Sequence, residues 1–438
     1  MKYLYLDNFR GFFDAVIPIA DVTFLVGENS TGKTSVLRML ELLSSFHFWF
    51  TQSFETEAVK FGHFKDIVSV HSEDRSYFTI GMIEDIKKKG NEHTSHGFLM
   101  TFKEKSGLPS LSQYTFSNGN KVHSIKIASK RILVKESSLD SGINADSFIS
   151  TVLNAWKQEH IKPSAGYSNI PIPGKGGTFP LPLLLTLLDS LKKDNDDKSD
   201  VANIPFPLPF KGALIWLAPI RATPKRTYDE VRLDFSPEGM HTPYLIRKIL
   251  SSKSAAKEFQ KKLESIGKQS SLFESVSIQQ YGTSVTAPFE LNIIIDKRAL
   301  NINNVGYGVS QALPVIVELL HRDKDTWFAV QQPEVHLHPK AQAALGDLFF
   351  ELSVQENKSF LVETHSDFLI DRFRLNYKDK NNKKGPKFPD AQILFFERNE
   401  KKNTVVSLRI DDDGELPLNQ PSNYRDFFVH EQMKLLGL

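Results

Sequence analysis

Apolar and polar residues alternate from the start of the chain. The stretch MKYLYLDNFRGF, residues 1–12, predicts a first strand around Tyr3 to Leu6, a turn near Gly11 and a second strand after it. VTFLVG, residues 22–27, is a continuous apolar run that ends in glycine, and the helical pattern SVLRMLELL follows from Ser35, so a strand, a loop and a helix are expected in that order. Between 66 and 134 the alternating stretches RSYFTIGMI, HGFLMTFK and KVHSIKIA, separated by polar turns, predict an antiparallel β subdomain. From 137 to 211 the pattern becomes irregular, with the Gly/Pro-rich IPIPGKGGTFPLP and the charged KKDNDDKSD, and reads as an insertion.

Regular periodicity then returns. A strand is expected at GALIWL, helices over 241–276 and a strand at FELNIIID. The last third predicts a helix from Ser310, the strand TWFAV, a helix from Pro339, the strand SFLVETHS, another helix and the strand QILFFE. Strands and helices alternating at these lengths build a parallel sheet covered on both faces. The expected fold class is α/β: a mostly parallel sheet flanked by helices, an antiparallel β subdomain, and a helical or irregular insertion. The corresponding division is 1–136, 137–276 with a core strand near 212–218, and 277–438. No repeat of fixed period is visible.

Composition changes little in this picture. At 438 residues, 40% hydrophobic and 24% charged, the chain has the balance of a folded protein of two or three domains, and a net charge of +2 is no footprint of a nucleic-acid-wrapping polyelectrolyte. Cysteine is absent, which excludes disulfides, thiolate nucleophiles and thiolate metal sites, fits a reducing interior and makes the cytoplasm the expected compartment. The charged, alternating N-terminus reads as a strand rather than a signal peptide, and the longest apolar stretch, FPLPLLLTLL at 179–188, is half the ~20 residues that span a bilayer. No membrane partner is expected.

The sharpest chemical signal is GENSTGKT, which fits the phosphate loop G-x-x-x-x-G-K-[ST] in the strand-to-helix context it requires. Gly27 and Gly32 permit the tight turn, and the backbone of Glu28, Asn29, Ser30 and Thr31, with Ser35 opening the helix, surrounds the phosphates with N–H groups. Lys33 is expected to reach the β- and γ-phosphates and Thr34 to ligate magnesium, so ATP and Mg2+ are the expected cofactors. Further on, NNVGYGVSQALPVIVELL sets a Gly-rich turn and a serine before a helix, which reads alone as either a capped helix or an anion site.

In that order, GENSTGKT, GYGVSQ, WFAVQQPEVHLHP and VETHS resemble the ABC-class ATPase heads of RecF, Rad50 and SMC type. The wording PEVHLHPKAQ, LAPIRATPKRTY and LRIDDDGELP is similar to the OLD-like ATPases of bacterial phage defence, with the Septu and retron-associated ATPases most alike. The resemblance implies two heads sandwiching two ATPs, the phosphate loop of one subunit facing Gly306, Gly308 and Ser310 of the other. It implies a homo-oligomer, at least a dimer, and makes His365 the switch histidine at the γ-phosphate.

The resemblance departs at the end of WFAVQQ. Most members of the class carry two acids there, one holding magnesium through water and one polarising the attacking water; here Gln331 and Gln332 stand in those places. Glutamine accepts a hydrogen bond from a metal-bound water and orients an attacking one, but is no strong base. Gln331 is therefore assigned to the metal side and Gln332 to the attacking water, with Glu334, two residues on, as the candidate carboxylate. Slow hydrolysis by an ATP-held clamp is the favoured reading, and a variant with two Glu-to-Gln changes is the other. His336 and His338 alternate like zinc ligands without an evident third, so a helix-leading loop is the plainer expectation.

Glu397, Asp411 and Asp413 superficially resemble the acids of a C-terminal nuclease, yet ILFFERNE and RIDDDGE read better as a hairpin ending in a turn. Output is then expected from an effector nuclease or toxin subunit; the 137–211 insertion with its IPFPLPF surface reads either as the docking element or as a cap on a core. Arg221, Lys225 and Arg226 read either as contacts to phosphate of ATP, DNA or RNA, or as a solvated basic loop. The alternatives to effector control are a RecF-like clamp acting on DNA and a nucleotide-gated scaffold.

Overall fold

The computed structural model describes residues 1–56, 59–87, 93–119, 121–128, 131–138, 148–161, 167–171, 210, 214–230, 232–252, 255–284, 286–379, 387–421 and 433–434. FPLPLLLTLL, KKDNDDKSD and nearly all of the two proline-rich stretches of the insertion lie outside these residues. In chain order the elements are β1 (Lys2–Asp7), β2 (Ala15–Ile19), β3 (Val22–Gly27), α1 (Lys33–Ser44), α2 (Phe46–Thr51), α3 (Phe64–Ile67), β4 (Tyr77–Lys87), β5 (His93–Lys105), β6 (Leu108–Gly119), β7 (Lys121–Ala128), β8 (Arg131–Ser138), α4 (Phe148–Ile161) and β9 (Ser168–Pro171). There follow β10 (Leu214–Leu217), α5 (Thr242–Leu250), α6 (Ala255–Ser270), β11 (Ser275–Gln280), β12 (Phe289–Ile295), β13 (Arg298–Asn301), α7 (Tyr307–His321), β14 (Trp327–Gln331), α8 (Pro339–Glu356), β15 (Ser359–Glu363), α9 (Asp367–Lys378), β16 (Ala391–Asn399) and β17 (Lys402–Ile410).

These elements group into two compact units, each assembled from separated stretches. The first takes Met1–Ala20, Glu28–Gly212 and Phe396–Val405, and the second Asp21–Gly27, Ala213–Phe395 and Val406–Leu438. In the first unit an eight-stranded sheet runs β2-β1-β4-β5-β6-β7-β8-β9, with every neighbouring pair antiparallel. Val152, Leu153 and Trp156 of α4 pack on Tyr5, Ile83, Leu99 and Val122 of the sheet. Phe54 sits edge-on to Phe48, Phe78 and Phe102 with ring centroids 4.9–5.5 Å apart, a favoured aromatic geometry that fixes α2 against β4 and β5.

The second unit is built on the six-stranded sheet β10-β14-β15-β3-β16-β17. Its β10, β14, β15 and β3 are parallel, so their carboxyl ends share one edge. Phe24, Phe328, Val330, Phe360 and Val362 face one way, into a core with Leu313 and Ile316 of α7, Phe349 of α8 and Phe373 of α9. Leu25, Ala329, Leu361 and Leu394, one residue out of phase, are buried as well. Strands buried on both faces read as unbroken apolar runs, which is why VTFLV, WFAV and SFLV show no alternation. Each large apolar side chain so removed from water contributes about 1.5–3 kcal/mol. The expected α/β class, with its antiparallel subdomain, is the one found. No described helix is long and apolar enough to cross a membrane.

Candidate functional site

Register at the carboxyl edge of the parallel sheet sets the site. Gln331 at the end of β14 pairs with Glu363 at the end of β15, and Glu363 pairs with Leu25 of β3, two residues before Gly27 opens the phosphate loop. The Gln331 amide nitrogen donates to Glu363 Oε2 at 2.7 Å, and both side chains are buried. Gln332 then leaves the sheet with a left-handed backbone (φ 42°), its N–H bonded to the Glu363 carbonyl at 2.7 Å. A non-glycine residue held in that region stores about 1–3 kcal/mol of strain and marks a loop whose shape is imposed by its surroundings.

Glu334 is buried, at 8% exposure, in the loop that follows. Its Oε1 accepts the backbone N–H of His365 at 2.7 Å, while its Oε2 has no hydrogen-bond partner among the described residues. The His365 side chain itself is exposed. One carboxylate thus ties the loop after β14 to the loop after β15, and keeps an unsatisfied acceptor. The loops that carry Gln332, Glu334 and His365 are thereby neighbours, joined through the His365 backbone.

Arg221 is the residue whose role the sequence did not give. Expected either at a phosphate or in a solvated basic loop, it is only 3% exposed, and its guanidinium donates to the carbonyls of Pro219 (2.9 Å), Gln332 (3.2 Å) and Gln331 (3.0 Å). Burial lowers its pKa to about 10, with the nearby Glu334 charge opposing the shift. Its backbone N–H bonds Gln311 Oε1 of α7 at 3.3 Å, so one buried arginine joins α7 to the two glutamines.

The Gly306–Gly308 turn packs on the same loop. A Cβ at Gly308 would fall 2.6 Å from the His336 carbonyl oxygen, an approach that only glycine allows, and the Tyr307 and His336 rings meet edge-on with centroids 4.8 Å apart. Gly306 is exposed, whereas Ser310 is buried and gives its hydroxyl to the Tyr307 carbonyl at 2.8 Å. His338 caps α8, its Nδ1 accepting the Lys340 N–H at 3.3 Å ahead of Pro339, so the helix-leading role is the one it has here. Among the described residues no group of three His, Cys, Asp or Glu side chains is arranged to hold a metal ion. Asp411 Oδ1 accepts from the backbone N–H of Asp413 and Glu415, the turn chemistry expected for the DDDG stretch.

In the first unit, the phosphate loop leads into α1 through Gly32, which caps the helix in a left-handed conformation (φ 100°) where a Cβ would lie 2.5 Å from the Phe12 ring. Lys33 is buried, its ammonium bonded to the Glu28 carbonyl at 2.7 Å, and the Thr31 hydroxyl shares that carbonyl at 2.8 Å. Glu28, Asn29 and Ser30 are exposed, and Thr34 and Ser35 are half-buried on the first turn of α1. Backbone N–H groups at a helix start, with a lysine held among them, form a ready anion cradle.

A sequence-family model described as AAA ATPase domain matches residues 1–160 and 220–370. No curated protein matches the chain. Among solved structures it is similar to a Smc head domain with an extended coiled coil bound to the C-terminal domain of ScpA, from Pyrococcus furiosus, at 12% identity over 99% of this chain and 100% of that one, with a TM-score of 0.42. It is also similar to the recombination mediator protein RecF, at 10% identity over 92% of this chain and 97% of that one, with a TM-score of 0.31.

Proposed function

This chain belongs to the AAA ATPase domain family, and on that premise we propose that it is an ABC-class head that binds ATP with magnesium, hydrolyses it slowly, and pairs with a second copy around the nucleotide to control an effector nuclease in phage defence. The phosphate loop would hold the triphosphate, with Lys33 exchanging the Glu28 carbonyl for phosphate oxygens and Thr34 on the metal. Magnesium, when bound, neutralises charge on the phosphates. Gln332 would orient the attacking water by hydrogen bonding and Glu334 would accept its proton, while His365 would hold the terminal phosphate.

The observation that carries slow hydrolysis is Glu334: a buried carboxylate with one oxygen on the His365 backbone and one without a partner, in a loop whose two preceding acids are replaced by Gln331 and Gln332. Homodimerisation rests on the resemblance of GYGVSQ and its companion motifs to the ABC-class heads, and effector control on that of PEVHLHPKAQ, LAPIRATPKRTY and LRIDDDGELP to the OLD-like ATPases. Turnover measured under saturating Mg-ATP tests the carboxylate: Glu334→Gln is expected to lower the rate at least tenfold with ATP affinity within threefold of the parent. An unchanged rate removes Glu334 from the chemistry. ATP-dependent dimerisation, read by light scattering, should vanish in Lys33→Ala, and a nuclease subunit should co-purify with the native protein; tight ATP-dependent binding of DNA by the chain alone would favour a clamp instead.

A further inference from the structure

One cavity in the second unit lies outside the chemistry proposed above and shares with it only Ser310. Its volume is about 310 Å³, and it opens among the segment after β10, the start of α5 and the first turns of α7. Leu291 of β12 and Leu313 and Pro314 of α7 give it buried apolar lining. Tyr228 and Tyr244, both buried and edge-on with ring centroids 5.7 Å apart, add an aromatic wall. Lys225, Arg232 and Met240 also line the cavity and are exposed, so it runs from the surface into the core. A concave, mostly apolar space of this size, with a few polar groups, is the form of a site for a small organic molecule.

The polar groups narrow the chemistry. Thr242, at the start of α5, is 2% exposed, and its hydroxyl has no hydrogen-bond partner among the described residues. Leaving a buried hydroxyl unpaired costs about 1–3 kcal/mol, a cost that a ligand with a hydrogen-bonding group removes. Pro314 stands inside α7 and has no N–H to return to the carbonyl of Ser310, four residues earlier and part of the same lining. At the exposed side Arg232 is held by Glu230, Nε to Oε2 at 2.6 Å, whereas Lys225 enters no ion pair among the described residues. The cavity thus offers an aromatic wall, oxygen acceptors within and one uncommitted cation at the mouth.

We propose that this cavity binds a small, flat aromatic molecule that carries a hydrogen-bond donor and one anionic group. Its rings would lie against Tyr228 and Tyr244, where aromatic pairs gain from edge-on or offset contact. Its N–H or O–H would meet the Thr242 hydroxyl or the Ser310 carbonyl, and its anion would pair with Lys225. A purely aliphatic ligand leaves Thr242 and Lys225 unmet. Lys225 belongs to the basic segment that the sequence left open between a phosphate contact and a solvated loop, and the cavity gives it an anion of another kind.

The probe is anilinonaphthalene sulfonate, a fused ring with one N–H and one sulfonate, titrated into the full chain and followed by fluorescence. One saturable class of one-to-one stoichiometry is expected, with its affinity unchanged within twofold by excess Mg-ATP. Lys225→Ala, at an exposed position, should weaken that class at least tenfold, and Lys225→Arg should stay within threefold of the parent. Met240→Trp, also exposed, should abolish it by filling the mouth. Thr242→Val keeps the volume, removes the hydroxyl and should weaken binding at least threefold; should it not fold by circular dichroism, the two exposed positions carry the test. Absence of a saturable class, or an affinity unchanged in folded Lys225→Ala and Met240→Trp, overturns the proposal. Displacement of the probe by Mg-ATP overturns it too, because the cavity would then belong to the nucleotide site.

Discussion

Replacing Arg221 with alanine should cost stability and turnover together. The guanidinium gives three charge-assisted hydrogen bonds to the carbonyls of Pro219, Gln331 and Gln332, between 2.9 and 3.2 Å, each contributing about 1.5–3 kcal/mol. Against this stands its desolvation: the fall from 12.5 to about 10 corresponds to roughly 3 kcal/mol at about 1.4 kcal/mol per pH unit. The balance is a net loss of about 3 kcal/mol, and Glu334 loses a nearby positive charge. For a unit of this size that is a fall in Tm of roughly 6–12 °C, measurable by calorimetry. ATP turnover should fall with it, because Gln332 and Glu334 lose the anchor of their loop. Arg221→Lys keeps the charge but not the planar fork, and should recover less than half of the loss. A Tm within about 2 °C of the parent, with unchanged turnover, would refute the view that this arginine braces the loop.

Gly308→Ala drives a Cβ to 2.6 Å from the His336 carbonyl; overpacking of this kind costs about 1–3 kcal/mol, and slower ATP turnover in a protein that still folds by circular dichroism is the expected result. Gly32→Ala meets both a left-handed backbone and the Phe12 ring at 2.5 Å, adding about 1–2 kcal/mol of backbone cost; isothermal titration should show ATP affinity reduced at least tenfold. Glu41 on α1 has its pKa raised by burial from 4.5 to about 7. The folded state therefore keeps a proton that the unfolded chain loses near pH 4.5, so this contribution is fully present below pH 4.5 and is lost as pH rises through 7. Urea denaturation of the parent should show stability declining from pH 5 to 8, with a visibly flatter profile in Glu41→Gln.

Much of this was legible because the relevant signals are local. The phosphate loop, the helix after it, and the order of strands and helices in the last third follow from periodicity and from glycine and proline placement over a few residues each. What escaped the sequence was side-chain direction across distant stretches. Arg221 sits in a polar, proline-punctuated segment that reads as surface, and nothing near it in the chain reports that its guanidinium turns inward to carbonyls more than a hundred residues away. Glu363 drew no reading from the sequence, because its meaning depends on Gln331 being its register partner, and strand pairing is not encoded in either strand alone.

The contact between Gly308 and the His336 carbonyl bears on linkage. With no side-chain atom between them, the Gly306–Gly308 turn and the loop after β14 cannot take up independent positions, so their conformations form one equilibrium and not two. A ligand or partner that favours one arrangement of the turn shifts the loop by the same free energy, and the reverse holds.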